Sequence, residues 1–254
     1  MSDNNFIKNP QLDGDNFYWE GNPIGFLLIH GFTATTTEVR LIAEKLHQLG
    51  YTTAAPLLPG HGTNPVDMNR STWPMWLEKV KSFYEKLLRE CDQVYVIGES
   101  MGALLALELA VQHQEIPGLI LAAPAIKVNN LWIAHLIAPF RSYLWKKGKD
   151  DDLAWKGYIV EPLKAAVQLH KLQKHTRKQL GKINQPTLVL SGEYDHAIAP
   201  DSIQIIMQGI NSSRKQHIHM NHSSHCILLD QELEQVTNHI LTFTGLLKNE
   251  TKQQ

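Results

Sequence analysis

The chain has 254 residues, 43% of them hydrophobic, which suits one large α/β domain or two small ones and is ample for a sizeable core. Its 24 Lys and Arg against 25 Asp and Glu leave a formal net charge of -1, a balance that offers no electrostatic footprint for nucleic acid or an anionic membrane. Only two cysteines, Cys91 and Cys226, rule out a disulfide framework, the polar first eleven residues hold no signal-peptide core, and the longest nearly apolar run, 118–126, is too short to span a bilayer, so the expectation is a cytoplasmic protein without an integral membrane segment.

Short apolar runs alternate with helical patterns along the chain. Phe17-Tyr18-Trp19 reads as an edge strand, turned by Gly21-Asn22-Pro23, and 26–30 as a buried strand. A helix over 37–49 ends near Gly50, and 52–58 is the next strand. Residues 76–90 are amphipathic, with Trp76, Val80, Phe83, Tyr84, Leu87 and Leu88 at helical spacing. A strand over 94–97, a helix over 103–112 and a strand over 119–123 follow. The later pattern is strand 187–191, helix 202–208, strand 216–220 and helix 233–247, with a frayed end over 249–254. Strands alternating with helices imply a mostly parallel sheet covered on both faces.

One segment breaks the alternation. Between Pro124 and Gln185 no convincing strand is legible. The segment holds Leu131-Trp132-Ile133, Leu136-Ile137, Tyr143-Leu144-Trp145, an acidic run Asp150-Asp151-Asp152 and a helical pattern over 163–180. A structureless loop of that length is unexpected, and a helical cap over the C-terminal sheet edge fits better. The partition is then a core of 1–123 and 186–254 with a cap of 124–185 inserted in it. Leu131, Trp132, Ile133, Leu136 and Ile137 are the candidates for lining an apolar pocket under the cap. The basic run Lys171, Lys174, Arg177, Lys178 reads as the solvated face of the last cap helix.

The chemistry concentrates at Gly98-Glu99-Ser100-Met101-Gly102. This is G-x-S-x-G between a strand and a helix, the context of a strained turn that lifts a serine hydroxyl clear of a sheet. Such a serine needs a base, and the base needs an orienting carboxylate, in the chain order Ser, acid, His. Asp195 follows the strand ending in Leu190-Ser191-Gly192, and Glu193 is the competing acid of that loop. Of the later histidines, His225 is preferred as base and His222 is the alternative, both lying after the final strand, and Asp230 reads as a cap for the closing helix. A tetrahedral oxyanion needs two backbone donors, for which Met101 and Phe32 are the candidates, the latter in the loop His30-Gly31-Phe32-Thr33. His30 reads as a structural residue at the strand end.

With these residues placed, the chain resembles an α/β-hydrolase of the bacterial carboxylesterase and monoacylglycerol lipase group. The marks are Leu28-Ile29-His30-Gly31-Phe32-Thr33, Pro59-Gly60-His61-Gly62-Thr63, the pentapeptide around Ser100, Asp195-His196 with Pro200, and Ser224-His225 leading to Leu229-Asp230. The resemblance implies Ser100 as nucleophile, Asp195 as acid, His225 as base, and Phe32 with Met101 as oxyanion hole, and makes His61-Gly62 structural. It covers nearly the whole chain outside the cap. Two positions depart from the group: Ala103 stands where Gly is frequent, and Glu99 puts a carboxylate beside the nucleophile that must be solvated or paired. The cap matches less well, and Glu161 is near, but not in register with, the acid that touches glycerol in the group's lipases.

The expected activity is hydrolysis of short- to medium-chain acyl esters or monoacylglycerols through an acyl-enzyme, with a small-molecule ester as partner and no metal or organic cofactor. An amidase, thioesterase or carbon–carbon hydrolase would use the same triad. Two other classes remain as rivals: a zinc hydrolase built on His217, His219, His222 and His225, and a non-catalytic binding protein on the same scaffold.

Overall fold

In the computed structural model, which describes residues 6–146 and 153–247, the alternating pattern folds into a seven-stranded sheet with helices on both faces. Chain order gives β1 (Ile7–Lys8), β2 (Phe17–Trp19), β3 (Asn22–Ile29), α1 (Thr37–Gln48), β4 (Tyr51–Ala55), α2 (Pro65–Arg70), α3 (Trp73–Leu88), β5 (Gln93–Glu99), α4 (Met101–Gln112) and β6 (Leu119–Ala122). An excursion then carries α5 (Ala134–Ile137), β7 (Tyr143–Trp145), β8 (Gly157–Tyr158), β9 (Val160–Pro162) and α6 (Leu163–Gln179). The sheet resumes with β10 (Thr187–Gly192), α7 (Ser202–Gly209), β11 (Lys215–Met220) and α8 (Leu233–Thr244). The sheet order is β11-β10-β6-β5-β3-β4-β2, parallel throughout except for β2, which runs antiparallel to β4 at the edge.

Period-two alternation sends each central strand's side chains to two separate cores. Leu27, Ile29, Val94, Val96, Leu119, Leu121 and Val189 pack with α3 and α4 on one face. Phe26, Leu28, Tyr95, Ile97, Ile120, Leu188 and Leu190 pack with α1 and α8 on the other. α1 turns Val39, Ile42 and Leu46 inward at helical spacing, all fully buried, each contributing on the order of 1.5–3 kcal/mol. Over Met101–Ala110 α4 is apolar on every face except for Glu108, which accepts from Thr176 of α6 at 2.6 Å, and it is buried there because it lies between the sheet, α3 and α6.

The excursion departs from the sequence expectation. It is not purely helical: β7 pairs antiparallel with β9, and β8 pairs antiparallel with β1, fastening the N-terminal segment to it. These strands have two or three residues each, too few for periodicity to register. α2 escapes for the same reason, although Asn64 caps it by accepting from the Val66 and Asp67 amides at 2.9 and 3.0 Å. The basic run on α6 is exposed, yet Arg177 is not merely solvated, since it donates twice to the Ile126 carbonyl at 3.0 and 2.7 Å. The acidic run Asp150–Asp152 and the end 249–254 lie outside the described residues.

Candidate active site

β5 ends at the centre of the sheet, and the chain reverses into α4 through Ser100, whose φ is 56° and ψ -113°. A non-glycine residue there costs about 1–3 kcal/mol, and the packing around it enforces the turn. A Cβ on Gly98 would sit 2.4 Å from the Gly102 carbonyl oxygen, and one on Gly102 would sit 2.1 Å from that of Ile29, so only glycine allows strand and helix to pass this closely. The Ser100 amide donates to Ala122 at 2.9 Å, and its carbonyl accepts from Ala103 and Ala125, which locks the turn between β6 and α4.

His225 reaches this serine from the loop after β11. Its Nε2 lies 2.9 Å from Ser100 Oγ and its Nδ1 2.9 Å from Asp195 Oδ2. Asp195 is held in turn by the amides of Ala197 and Ile198, at 2.8 and 3.4 Å from Oδ1. Burial pushes the Asp195 carboxyl up, but the His225 bond and charge and the two amides outweigh it and hold it below the usual range. Burial likewise pulls His225 down, but the bond and charge of Asp195, with a contribution from Glu38, raise it above the ordinary imidazole value, against Lys146.

The competing candidates go elsewhere. Glu193 bonds His219 Nε2 at 2.8 Å. The His222 amide donates to Glu232 Oε2 at 2.9 Å. Ser191 Oγ stands between His217 Nε2 and His219 Nδ1 at 2.8 and 3.0 Å, so β11's histidines face β10 while His225 faces Ser100. Among the described residues, no three of the His, Cys, Asp and Glu side chains converge as metal ligands. Asp230 does not cap α8, whose N-cap is Glu232; it accepts from the Ser224 amide and hydroxyl, each at 2.7 Å, and so anchors the loop next to His225.

Met101 follows the serine as the first residue of α4, and Phe32 stands in the loop after β3. Gly31 precedes Phe32, and a Cβ there would meet Glu38 Oε2 at 2.9 Å and Ser100 Cβ at 3.1 Å. The Gly31 amide donates to Glu38 Oε2 at 2.5 Å. Thr33 has φ 64°, donates to the Phe32 carbonyl at 2.6 Å and accepts from Lys146 Nζ. His30 is structural: burial takes its pKa down to about 4, and its Nε2 accepts from the Leu58 amide at 3.1 Å. That leaves Nδ1 as the donor to the Gly31 carbonyl at 2.9 Å. His61 packs edge-on against His30 and Trp76. The excursion presses on this loop too. The Tyr158 amide donates to the Thr33 carbonyl at 2.8 Å, and its hydroxyl donates to Gly60 and accepts from Thr63 at 2.8 and 3.0 Å.

Two buried carboxyls complete the surroundings. Glu99 is fully buried, and its Oε1 accepts from the Leu228 amide at 3.1 Å, tying the serine turn to the His225 loop. Glu38, on α1, holds the Phe32 loop and lies 3.7 Å from Cys226 Sγ. Burial pushes both carboxyls up, and Glu38 adds to the shift of Glu99. Sequence reasoning missed Glu38 because an acid in a helix's first turn is ordinary; its one signal was its place directly after the glycine loop.

The excursion only partly meets expectation. Leu131 is buried, and Ile137 packs against the core that holds Met101. Ile133 is half-buried. Trp132 and Leu136 are corrected: they are 54% and 60% exposed, on the outer face of the same helical winding whose inner face carries Leu131, Ala134 and Ala138. Glu161 is half-buried on β9, its carboxyl pushed up by burial and pulled back by Lys146. Burial lowers the Lys146 ammonium below its ordinary value, with Glu161, Glu38 and Cys226 opposing.

A parallel sheet covered on both faces, a strained serine at a strand–helix turn, and a histidine bonded to that serine and to a loop carboxylate define a serine hydrolase with the α/β-hydrolase fold. The chain belongs to the Hydrolase_4 family, described as serine aminopeptidase, S33, whose profile matches residues 25–153 and 146–232. It is 32% identical over 239 residues to a thermostable monoacylglycerol lipase of Bacillus sp. (strain H-257), covering 92% of this chain and 96% of that protein. A carboxylesterase of Bacillus subtilis (strain 168) is 29% identical over 233 residues, covering 89% and 94%. Among solved structures, one from a study of the metagenome-derived lipolytic enzymes LipS and LipT has a TM-score of 0.87 at 28% identity, covering 91% of this chain and 97% of that one. A soluble variant of the Saccharomyces cerevisiae monoglyceride lipase shares the fold, with a TM-score of 0.74 at 18% identity over 94% and 93% of the two chains.

Proposed function

We propose that the chain hydrolyses short- to medium-chain carboxylic esters or monoacylglycerols, with Ser100 as nucleophile, His225 as general base, Asp195 as its orienting acid, and the Phe32 and Met101 amides as oxyanion donors. The observation that carries this is the His225 ring, bonded at once to Asp195 and Ser100 at 2.9 Å each. Ser100 Oγ attacks the ester carbonyl carbon and passes its proton to Nε2. The carbonyl oxygen becomes an oxyanion facing two amides, which removing one donor elsewhere shows to matter by roughly 10²–10³ in rate. Nε2 then protonates the departing alcohol oxygen, leaving an acyl-serine. Water gives a proton to Nε2, attacks the acyl carbon, and the serine recovers its proton as the acid leaves. Throughout, Nδ1 keeps its proton toward Asp195 and holds one tautomer.

Residues 124–185 act in this reading as a cap on a core of 1–123 and 186–254. Ile133 and Ile137 meet the acyl chain, while Glu161 and Lys146 offer an acceptor and a donor to a hydroxylated alcohol. The names of the two Bacillus relatives support an ester as substrate. The two cysteines, not joined in a disulfide, support a cytoplasmic location, and no described helix is long and apolar enough to cross a membrane.

A substrate panel tests the reading: p-nitrophenyl esters of graded length, monoacylglycerols, an acyl-thioester and an amino-acid p-nitroanilide. Ester turnover is expected to rise from acetyl through several carbons, nearly fourfold in binding per buried methylene at ~0.8 kcal/mol. Turnover confined to the p-nitroanilide would replace the ester reading by the peptidase one that the family's description names.

A further inference from the structure

The net charge of -1 conceals an uneven distribution. Residues 124–185 contain 12 of the chain's 24 Lys and Arg but only 4 of its 25 Asp and Glu. This quarter of the chain is therefore strongly positive, and the remainder is negative by a similar amount. Along α6 and the turn after it, Lys164, Lys171, Lys174, Arg177, Lys178 and Lys182 are all exposed, with no acidic residue over 163–182.

The same segment exposes a line of apolar side chains. The winding through Leu131–Ile133 and α5 continues in hydrogen bonds from Phe140 and Arg141 to the Ile137 carbonyl. Trp132, Leu136 and Phe140 recur on it at intervals of four, one above the other on one face. They are 54%, 60% and 87% exposed, and Trp145 on β7 is 62% exposed. These four stand within fourteen residues of sequence. They cost the fold apolar exposure that its own core does not need, because the inner face of the winding is already buried. The basic edge of α6 lies alongside: His135, between Trp132 and Leu136, bonds His170 at 2.9 Å, and Lys174 and Arg177 both act electrostatically on that ring. Beside them a cleft of about 360 Å³ is lined by Arg70, His135 and Lys164 together with Ser71, Thr72 and Pro139. Arg70 is shared there with Asp67, at 3.6 Å.

We propose that this face of the excursion binds the surface of an anionic lipid bilayer or micelle, with Trp132, Leu136 and Phe140 entering the interface and the α6 lysines meeting the headgroups. Apolar residues backed by Lys and Arg are what an interfacial segment needs, and Trp favours the headgroup level. The charge argues against a second copy of the chain on this face, because a two-fold contact would set like charges against each other. The face lies on the segment that leaves the sheet directly beside Ser100, where the Ala125 amide bonds the Ser100 carbonyl, so a docked surface would lie close to the entrance for lipid esters.

The test is co-sedimentation of the full chain with vesicles of neutral phosphatidylcholine or with 30 mol% phosphatidylglycerol added, alongside turnover of soluble p-nitrophenyl acetate. Binding is expected to the anionic vesicles, to fall as salt rises, and to weaken about tenfold or more in Phe140→Asp and in Lys171→Glu/Lys174→Glu. Both variants are expected to keep wild-type turnover of the soluble ester, which also reports that they fold. Absence of binding to anionic vesicles at low salt, or equal binding by both variants, overturns the proposal. So does a wild-type dimer in sedimentation equilibrium that Phe140→Asp converts to monomer. Vesicle binding without ester turnover would instead overturn the hydrolase reading and leave this one standing.

Discussion

His225 is subject to opposing influences. Burial alone would depress its pKa, while Asp195 on one side and Glu38 on α1 raise it, with Lys146 of the excursion opposing them. The net is upward, and a general base works only when neutral. kcat/KM is therefore expected to fall with decreasing pH through a value above that of an ordinary imidazole. Glu38→Gln keeps an acceptor for the Gly31 amide but removes the charge, so the acid limb should move to lower pH; an unmoved limb would show that Glu38 acts on the loop alone. Substitution separates the candidates at the same scale. His225→Ala and Asp195→Asn are expected to lower kcat by about 10³ or more, whereas His222→Ala and Glu193→Gln, which lie on Glu232 and His219, should stay within a few-fold in steady-state kinetics. Ser100, Asp195 and His225 were legible as a set because each follows a strand end in the required order, and the fold brings them into contact. Glu38 and the pairing of Glu99 were not, since both depend on which loops fold back over them.

At the scale of elements, the contact between the excursion and the Phe32 loop is the part that sequence could not supply. β8 has two residues and no pattern of its own; its position is set by Gly157 and Tyr158. A Cβ on Gly157 would sit 2.4 Å from the Thr33 carbonyl oxygen and 3.0 Å from Ala34 Cα, and backbone cannot yield as a flexible side chain can. Gly157→Ala is thus expected to destabilise by about 1–3 kcal/mol, measured by urea unfolding, and to lower kcat about tenfold by displacing the loop that carries Phe32. Wild-type kcat at lowered stability would mean that the two elements touch without positioning the amide. The longer elements were recovered because twelve to seventeen residues give a 3.6-residue period room to show, as in α1, α3 and α6. Their ends shifted by a few residues, as caps and loops rather than apolar spacing decide them.

For the whole molecule, a parallel sheet brings the ends of β3, β5 and β10 to one edge, and the residues that follow them, Phe32, Ser100 and Asp195, arrive together from distant parts of the sequence. Closing the set needs only His225 from the loop after β11. The apolar run 131–137 was visible in the sequence, but which of its faces turns inward depends on α6. Trp132 and Leu136 accordingly belong to the outer surface. The account stands or falls on Ser100 as the nucleophile. Peptide-level mass spectrometry after reaction with an alkyl fluorophosphonate, followed in parallel with ester turnover, tests it most directly. One adduct on Ser100, growing in step with the loss of activity and absent from Ser100→Ala, is the predicted result. Full ester turnover by the labelled protein, or by a folded Ser100→Ala, would contradict it.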